Sequence, residues 1–207
     1  MSKKTVKTTT SPDVAVKALV LASSSRYRTE LLGRLGLAFT SEAPDIDEAP
    51  LSGESPAETA LRLAEAKARA VAPRWPDALI IGSDQVADFQ GEVVGKPRDR
   101  ADALRQLRSM RGRVIVFHTA LVLLNARSGR CQAALVDVAS TFRSLDDAAL
   151  EAYVDRDQPY DCAGSVKAEA LGIALFTRIG SDDPTALIGL PLIRLTDMLL
   201  AEGVRLL

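Results

Sequence analysis

The sequence predicts an α/β fold of mixed α+β character, with a mixed sheet flanked by helices. Short apolar runs that are typical of buried strands alternate with amphipathic helical segments. Two longer strand-like runs, Val114–Asn125 and Ala133–Phe142, are joined through Ser128-Gly129, which indicates a hairpin. No linker or repeat interrupts the chain, so we expect one domain over residues 18–207. The polar, Thr-rich segment 1–17 is expected to form a disordered tail before it.

Local signals place the other elements. Ala18–Ala22 is a short apolar run that indicates a buried strand, and a helix is expected after Ser23-Ser24-Ser25, reaching about Leu35 before Gly36. The segment Ser55-Pro56-Ala57-Glu58 is a capping box with proline in the first helical turn, so it predicts a helix start. The remaining predictions are a strand at Ala78–Gly82, a hairpin around Gln90-Gly91, helices at Ala101–Met110, Asp146–Val154 and Leu192–Leu200, and a strand at Ile173–Ile179.

The composition narrows the classes of function. The chain of 207 residues has 26 basic and 27 acidic side chains, so it lacks the overall positive charge that is typical of binding to nucleic acid or to an anionic membrane. No apolar run approaches the length of a membrane span. Cys131 and Cys162 have neither metal-ligand spacing nor a disulfide framework, which suits a reducing compartment. We therefore expect a cytoplasmic protein without nucleic-acid or membrane partners.

Three cationic positions are candidate anion binders. Ser23 and Ser25 lie where a strand opens into a helix, so free N–H groups and Arg28 are available for phosphate oxygens, although serine is also an ordinary helix cap. Lys67 falls within the apolar arc of its helix and must reach water, pair with an acid or face a cavity. Lys96 lies in a stiff turn, Gly95-Lys96-Pro97.

Carboxylates supply the other half of a possible site. Asp84 follows an apolar strand and is suited either to activating water or binding a divalent cation, or to capping a turn. Glu48 belongs to an acidic loop, where Mg²⁺ on a triphosphate needs only one or two carboxylates. The single histidine, His118, has no paired nucleophile, so a Ser-His-Asp hydrolase is disfavoured.

Taken in chain order, these segments resemble the successive motifs of Maf-like proteins, and the resemblance runs from about Leu19 to Gly203. The motifs are Leu21-Ala22-Ser23-Ser24-Ser25-Arg26-Tyr27-Arg28, Asp47-Glu48, Glu65-Ala66-Lys67-Ala68, Gly82-Ser83-Asp84-Gln85-Val86, Gly95-Lys96-Pro97, Asp161-Cys162-Ala163-Gly164 and Gly189-Leu190-Pro191. The resemblance implies an elongated mixed sheet related to that of inosine triphosphatases, with two lobes and a central cleft. It also implies hydrolysis of a nucleoside triphosphate to monophosphate and pyrophosphate.

The resemblance also implies roles for individual residues. Asp84 corresponds to the family's proton acceptor, and Arg28, Lys67 and Lys96 to its phosphate-binding residues. Glu48, with Asp84, corresponds to the carboxylates that bind Mg²⁺ or Mn²⁺. A homodimer is implied in the same way.

The motif around Asp84 is similar to that of the branch that hydrolyses 7-methyl-GTP, with some activity on UTP and CTP. Its specificity positions fall on Tyr27, Gln85 and Glu169. An aromatic face attracts the cationic base, and a carboxylate accepts hydrogen bonds from guanine N–H groups. The alternative for Tyr27 is packing against Leu31 on the same helix face. Two other functions stay open, a nucleotide-binding regulator of cell division and an inosine/xanthosine triphosphatase.

Overall fold

The computed structural model describes residues 18–207, and the tail expected over residues 1–17 lies outside the described residues. The described chain folds into one seven-stranded sheet with helices against it, which confirms the predicted fold class. The strands are β1 (Leu19–Ala22), β2 (Thr40–Glu42), β3 (Leu79–Phe89), β4 (Glu92–Val94), β5 (Val114–Asn125), β6 (Cys131–Phe142) and β7 (Phe176–Gly180). The α-helices are α1 (Arg26–Gly33), α2 (Pro56–Val71), α3 (Arg100–Met110), α4 (Asp147–Asp157) and α5 (Leu192–Ala201). None of the helices within residues 18–207 is long and apolar enough to cross a bilayer.

Several details differ from the predicted elements, including a helix α4 that ends three residues later than expected and a strand β6 that begins two residues earlier. The strand expected to end at Gly82 continues to Phe89, because the polar residues after Gly82 still pair with β5. Strand β2 was not predicted, since its short polar run carries no apolar alternation. Residues 171–175 form a 3₁₀ turn, so β7 begins only at Phe176. Helix α1 ends at Gly33, two residues earlier than expected.

Strand β3 has an interrupted neighbour on one of its edges. The sheet order is β2-β1-β3-β5-β6-β7, and β1 pairs in parallel with β2 and with the start of β3. Strand β1 ends at Ala22, and β4 pairs with β3 only from Ala87 onward. On the other edge, β5 pairs with β3 throughout this stretch. Within the described chain, residues 83–86 of β3 therefore have no neighbouring strand on the edge shared by β1 and β4. The resulting gap in the sheet can accommodate polar side chains.

Buried side chains form two lobes on either side of this gap. One cluster contains side chains of α3, α4 and the nearby parts of β5, β6 and β7, with Phe117 and Phe142 among them. The other lobe holds two clusters, one on each face of the sheet. Leu21 and Ile81 pack towards α1 and α5, whereas Val20 and Ile80 pack towards α2. The long strands β3 and β5 pair with each other and run through both lobes, so the two lobes share one continuous sheet.

Gly82 allows α2 to lie directly on β3. A methyl group at this position would lie 2.1 Å from the Ala64 carbonyl oxygen, a backbone atom that cannot turn aside. Small side chains on the same helix, Ala60, Ala64 and Ala68, are fully buried at this contact. The close approach matters because α2 and β3 carry Lys67 and Asp84, respectively.

We expect Gly82→Ala to lower the free energy of unfolding by about 2–3 kcal/mol, because the helix must move away from the strand. Gly33→Ala is a matched control, since a Cβ there meets nothing within 4 Å and the position needs no left-handed backbone. Alanine in that helix should be neutral or stabilise by up to about 1 kcal/mol. Urea unfolding of both variants measures the difference. Equal stabilities of the two would contradict the close-packing explanation.

Candidate active site

A cavity of about 690 Å³ opens beside the gap in the sheet, a volume typical of small-molecule sites. Strand β3, the start of α1, helix α2 and the loops from both lobes contribute to its wall. Every residue that the sequence predicted for the site lines this cavity: Ser23, Ser25, Tyr27, Arg28, Glu48, Lys67, Asp84, Gln85, Lys96 and Glu169. The fold therefore brings together segments that are far apart along the chain.

Lys67 is the centre of an ion-pair cluster in the cavity wall. It is only 5% exposed, and its Nζ lies 2.6 Å from Asp84 Oδ1 and 2.8 Å from Glu48 Oε1. Lys67 thus pairs with acids and also faces the cavity, which are two of the three outcomes predicted for a lysine within an apolar arc. Burial opposes ionisation of Glu48, but the hydrogen bond and charge of Lys67 and the charges of Lys96 and Arg28 hold the pKa of that carboxyl below its usual range.

Asp84 lies inside strand β3 and not after it, which corrects the prediction from the sequence. The alternative of a turn-capping aspartate is therefore wrong. The residue is 7% exposed, and its side chain shares the α2 side of the sheet with Val86 because alternate residues of a strand face the same way. The gap beside residues 83–86 gives this carboxylate access to the cavity from within a regular strand.

Arg28 is held by the turn that contains Gly189. Its Nε donates to the Gly189 carbonyl oxygen at 2.8 Å, and Ser83 Oγ donates to the same oxygen at 2.9 Å. Gly189 has φ +115°, a left-handed conformation that suits glycine. Burial lowers the pKa of the Arg28 guanidinium, while the carboxylates of Asp84 and Glu48 oppose this shift. The hydrogen bond from Nε to this turn sets the orientation of the whole Arg28 guanidinium group.

The serines before α1 act as helix caps and also line the cavity. Ser25 is the N-cap residue, and its Oγ accepts from the Arg28 backbone N–H at 3.5 Å. Ser23 Oγ accepts from the Ser25 backbone N–H at 3.1 Å. Capping and anion binding, which the sequence left as alternatives, are compatible here because the helix N-terminus itself faces the cavity.

Lys96 is exposed at the cavity rim, opposite the buried cluster. Within residues 18–207 no carboxylate lies within 4 Å of its Nζ. Its charge nevertheless contributes to the lowered pKa of Glu48. A lysine at this position is available to an incoming anion, unlike Lys67, whose Nζ is already paired.

Tyr27 links the two lobes at the other end of the cavity. Its hydroxyl donates to Asp161 Oδ2 at 3.1 Å, and burial raises its pKa to about 12. The guanidinium of Arg26 lies 4.7 Å from the centre of the tyrosine ring and donates to the hydroxyl at 2.7 Å. Leu31 is buried in the core while Tyr27 faces the cavity, so the alternative of simple packing against Leu31 is wrong.

The other two predicted specificity positions, Gln85 and Glu169, also line the cavity. The Gln85 amide nitrogen donates to Thr119 Oγ1 at 3.0 Å and to the Ala186 and Leu187 carbonyl oxygens at 2.9 Å, so its orientation is fixed. Glu169 lies at the rim as an exposed residue. Partial desolvation of its carboxyl group raises the carboxyl pKa. An amide oxygen and a carboxylate are thus offered to a ligand.

A model of the family described as Maf-like protein matches residues 18–202. The chain belongs to the Maf-like family. Curated relatives named 7-methyl-GTP pyrophosphatase support this assignment. That of Methylobacillus flagellatus is 56% identical over 90% of this chain and 97% of its own, and that of Paraburkholderia xenovorans is 59% identical over 91% and 94%. Among solved structures, the Staphylococcus aureus Ham1 protein is similar over 62% of this chain and 73% of its own, with 15% identity and a TM-score of 0.43.

The carboxylates of this Maf-like site suit a metal ion that arrives with the substrate. Within residues 18–207, no group of three or more His, Cys, Asp or Glu side chains is arranged as a metal cage. Glu48 and Asp84 are, however, both within hydrogen-bond distance of one nitrogen and both open to the cavity. Hard oxygen ligands of this kind fit Mg²⁺ or Mn²⁺, which take one or two protein carboxylates when phosphates supply the rest.

Two residues of the Maf-like cavity were given no role from the sequence. Asp161 and Arg26 belong to motifs that were noted, yet their contacts with Tyr27 depend on the meeting of the two lobes. No sequence pattern indicates a pair separated by 134 residues. His118, expected to be non-catalytic, is held between Asp88 and Asp137 and is not part of the cavity wall.

We expect Lys67→Met to lower the free energy of unfolding at neutral pH by about 3 kcal/mol, because it leaves the buried Asp84 carboxylate without its partner. The double variant Lys67→Met/Asp84→Asn should recover most of that loss, since no buried charge then remains at the pair. Urea unfolding of the wild type and these variants measures both effects. Additive losses in the double variant would show that the two side chains are not coupled.

Proposed function

We propose that this Maf-like protein hydrolyses 7-methyl-GTP to 7-methyl-GMP and pyrophosphate, with lesser activity on UTP and CTP. The observation that carries the proposal is the joining of Lys67, Asp84 and Glu48 in one cavity that also contains Arg28 and Lys96. The names of the relatives, 7-methyl-GTP pyrophosphatase, support the choice of base. A homodimer in the cytoplasm belongs to the same proposal.

The phosphate chain would lie at the end of the cavity that holds the cations. Arg28, fixed by Gly189, has guanidinium nitrogens for bidentate binding of phosphate oxygens, and the exposed Lys96 closes the opposite side. Lys67 adds a buried charge that stays in place throughout the reaction. These groups stabilise negative charge on the departing pyrophosphate, which is mainly electrostatic catalysis.

In this proposal Asp84 activates the attacking water. Its Oδ1 accepts a hydrogen bond from Lys67 at 2.6 Å, and Oδ2 would bind the water. The water oxygen bonds to a phosphorus of the α–β bridge, and Asp84 takes the water proton. The bond from that phosphorus to the bridging oxygen then breaks, giving nucleoside monophosphate and pyrophosphate.

Maf-like pyrophosphatases generally depend on a divalent metal. In this chain Glu48 and Asp84 would hold the Mg²⁺ or Mn²⁺ that accompanies the triphosphate. When bound, the cation neutralises phosphate charge and so adds to the effect of the lysines and of Arg28.

The base would lie at the Tyr27 end of the cavity. One face of the tyrosine ring is covered by the Arg26 guanidinium, so the cationic 7-methylguanine takes the other face or displaces Arg26. Glu169 accepts from the guanine N1–H and N2–H groups, and the Gln85 amide oxygen is available beside it. This arrangement offers acceptors to guanine donors that uracil and cytosine do not present in the same pattern.

Replacing Asp84 by asparagine keeps the shape of the side chain and removes the base. We expect turnover of 7-methyl-GTP to fall by about 10²–10⁴-fold while the nucleotide still binds. Release of pyrophosphate, followed with purified protein, measures turnover, and equilibrium titration with the nucleotide measures binding. Wild-type turnover in this variant would overturn the assignment of Asp84.

Replacing Glu169 by glutamine removes the negative charge and exchanges one of the two carboxylate oxygens for an amide NH₂, which is a donor and faces a guanine donor. We expect kcat/KM for 7-methyl-GTP to fall about tenfold or more, because a guanine donor is left without a charged partner, and kcat/KM for UTP to change by less than about twofold. Parallel assays with both nucleotides give the ratio. Equal losses on the two substrates would refute the proposed recognition.

A further inference from the structure

The loop that carries Glu48 has little structure of its own. Residues 43–55 contain neither helix nor strand, and the Glu48 side chain is 54% exposed. The contact of Asp47 Oδ1 with the Ala49 backbone N–H at 2.9 Å bends the loop locally but does not attach it to the rest of the protein. Lys67 holds the Glu48 carboxylate at 2.8 Å, but the loop backbone beside it depends on contacts from outside the loop.

Arg62 attaches this loop to helix α2. Its Nη2 donates to the Ala49 carbonyl oxygen at 3.0 Å, directly after Glu48 in the chain. The same guanidinium binds both carboxylate oxygens of Glu54, with Nε 2.5 Å from Oε1 and Nη2 2.8 Å from Oε2. The two ends of the loop segment 49–54 are thus held by one planar group, and a guanidinium can do this because its donors form a rigid fork.

Glu54 extends the attachment. Its Oε2 also accepts from the Leu51 backbone N–H at 3.0 Å and from Thr59 Oγ1 at 3.1 Å. The hydrogen bond from Arg62, with these two, lowers the pKa of Glu54 to about 2, so the carboxylate stays ionised at any working pH. We call Arg62 and Glu54 together the loop clasp.

Arg62 and Lys67 both extend from helix α2. Arg62 precedes Lys67 by five residues, which is about 7.5 Å along an α-helix. One residue therefore holds the backbone next to Glu48, and the other faces the Glu48 carboxylate. A carboxylate that is fixed by its backbone keeps its place even when a cation draws it away from Lys67.

We propose that Arg62, through the loop clasp, is a positioning residue that holds Glu48 where it binds the divalent cation of the substrate. The inference rests on the proposed function in one respect, that Glu48 is a ligand of this cation. Groups around a ligand commonly change metal affinity by about 10–100-fold when they are removed.

The test compares Arg62→Gln with Arg69→Gln. Arg69 lies on the same helix and pairs with Glu65 at 2.6 Å on the exposed surface, so its loss removes a similar ion pair away from the loop. Binding of Mn²⁺ in the presence of a non-hydrolysable triphosphate is measured directly by electron paramagnetic resonance. Arg62→Gln should weaken Mn²⁺ binding about tenfold and speed hydrogen exchange at residues 49–54, whereas Arg69→Gln should leave both at the wild-type value.

Coupling to Glu48 separates positioning from a purely structural role. If Arg62 acts through Glu48, the double variant Glu48→Gln/Arg62→Gln binds Mn²⁺ no more weakly than Glu48→Gln alone. Arg62→Lys keeps the charge but loses the fork, so we expect a loss of Mn²⁺ affinity between those of the wild type and Arg62→Gln. It also provides the measurement should Arg62→Gln fail to fold.

Two results for the Arg62 variants would overturn the proposal: unchanged Mn²⁺ affinity in both Arg62→Gln and Arg62→Lys, or full additivity of Arg62→Gln with Glu48→Gln. Unchanged Mn²⁺ binding by Glu48→Gln would overturn it too, by removing the ligand role on which it rests. Failure of the proposed function is seen separately, since the wild-type protein would then release no pyrophosphate from any triphosphate. Normal release with an unaffected Arg62→Gln variant rejects the positioning role alone.

Discussion

A single buried ammonium group sets the geometry of this Maf-like site. Lys67 is almost inaccessible to water, so its charge is tolerated only because Asp84 and Glu48 both lie within hydrogen-bond distance of its Nζ. Those two carboxylates come from a strand and from a loop, and each must be placed independently for the pairing to form. The contact of α2 with β3 at Gly82 brings Lys67 and Asp84 together, and Arg62 attaches the Glu48 loop to the same helix.

The proposed ligand has two chemically different parts, and the charged and aromatic side chains of the cavity suit them separately. In the proposed function, Arg28, Lys67 and Lys96 with two carboxylates form the end that binds the phosphates, and Tyr27 and Glu169 belong to the end that binds the base. This division matches a ligand with a polyanionic chain at one end and a base at the other. Arg26 and Asp161 both form hydrogen bonds with the Tyr27 hydroxyl, so a base that stacks on the tyrosine ring would lie beside these two charged side chains.

The interrupted edge of β3 explains how the Asp84 carboxylate can face the cavity from the middle of a strand. Pairing with β5 keeps residues 83–86 in extended conformation, and the missing neighbour on the other edge opens them to the cavity. From the sequence, Asp84 was placed after a strand, since apolar character stops at Gly82. The pattern of apolar residues indicates which side chains are buried, and it does not indicate which backbone groups are paired. A polar stretch that still pairs in a sheet therefore resembles a loop in the sequence.

The sequence by itself determined the fold class, most of the elements and the family, because capping residues, apolar periodicity and motif order are all local properties of the chain. The motifs in the sequence also predicted ten of the residues that line the cavity, but not Arg26 or Asp161. Only the tertiary structure decided that Lys67 pairs with two acids, that Tyr27 meets Asp161, and that Arg62 holds the Glu48 loop. These contacts join residues whose separation along the chain carries no signal, and they form only when packing brings helix, strand and loop to the same place.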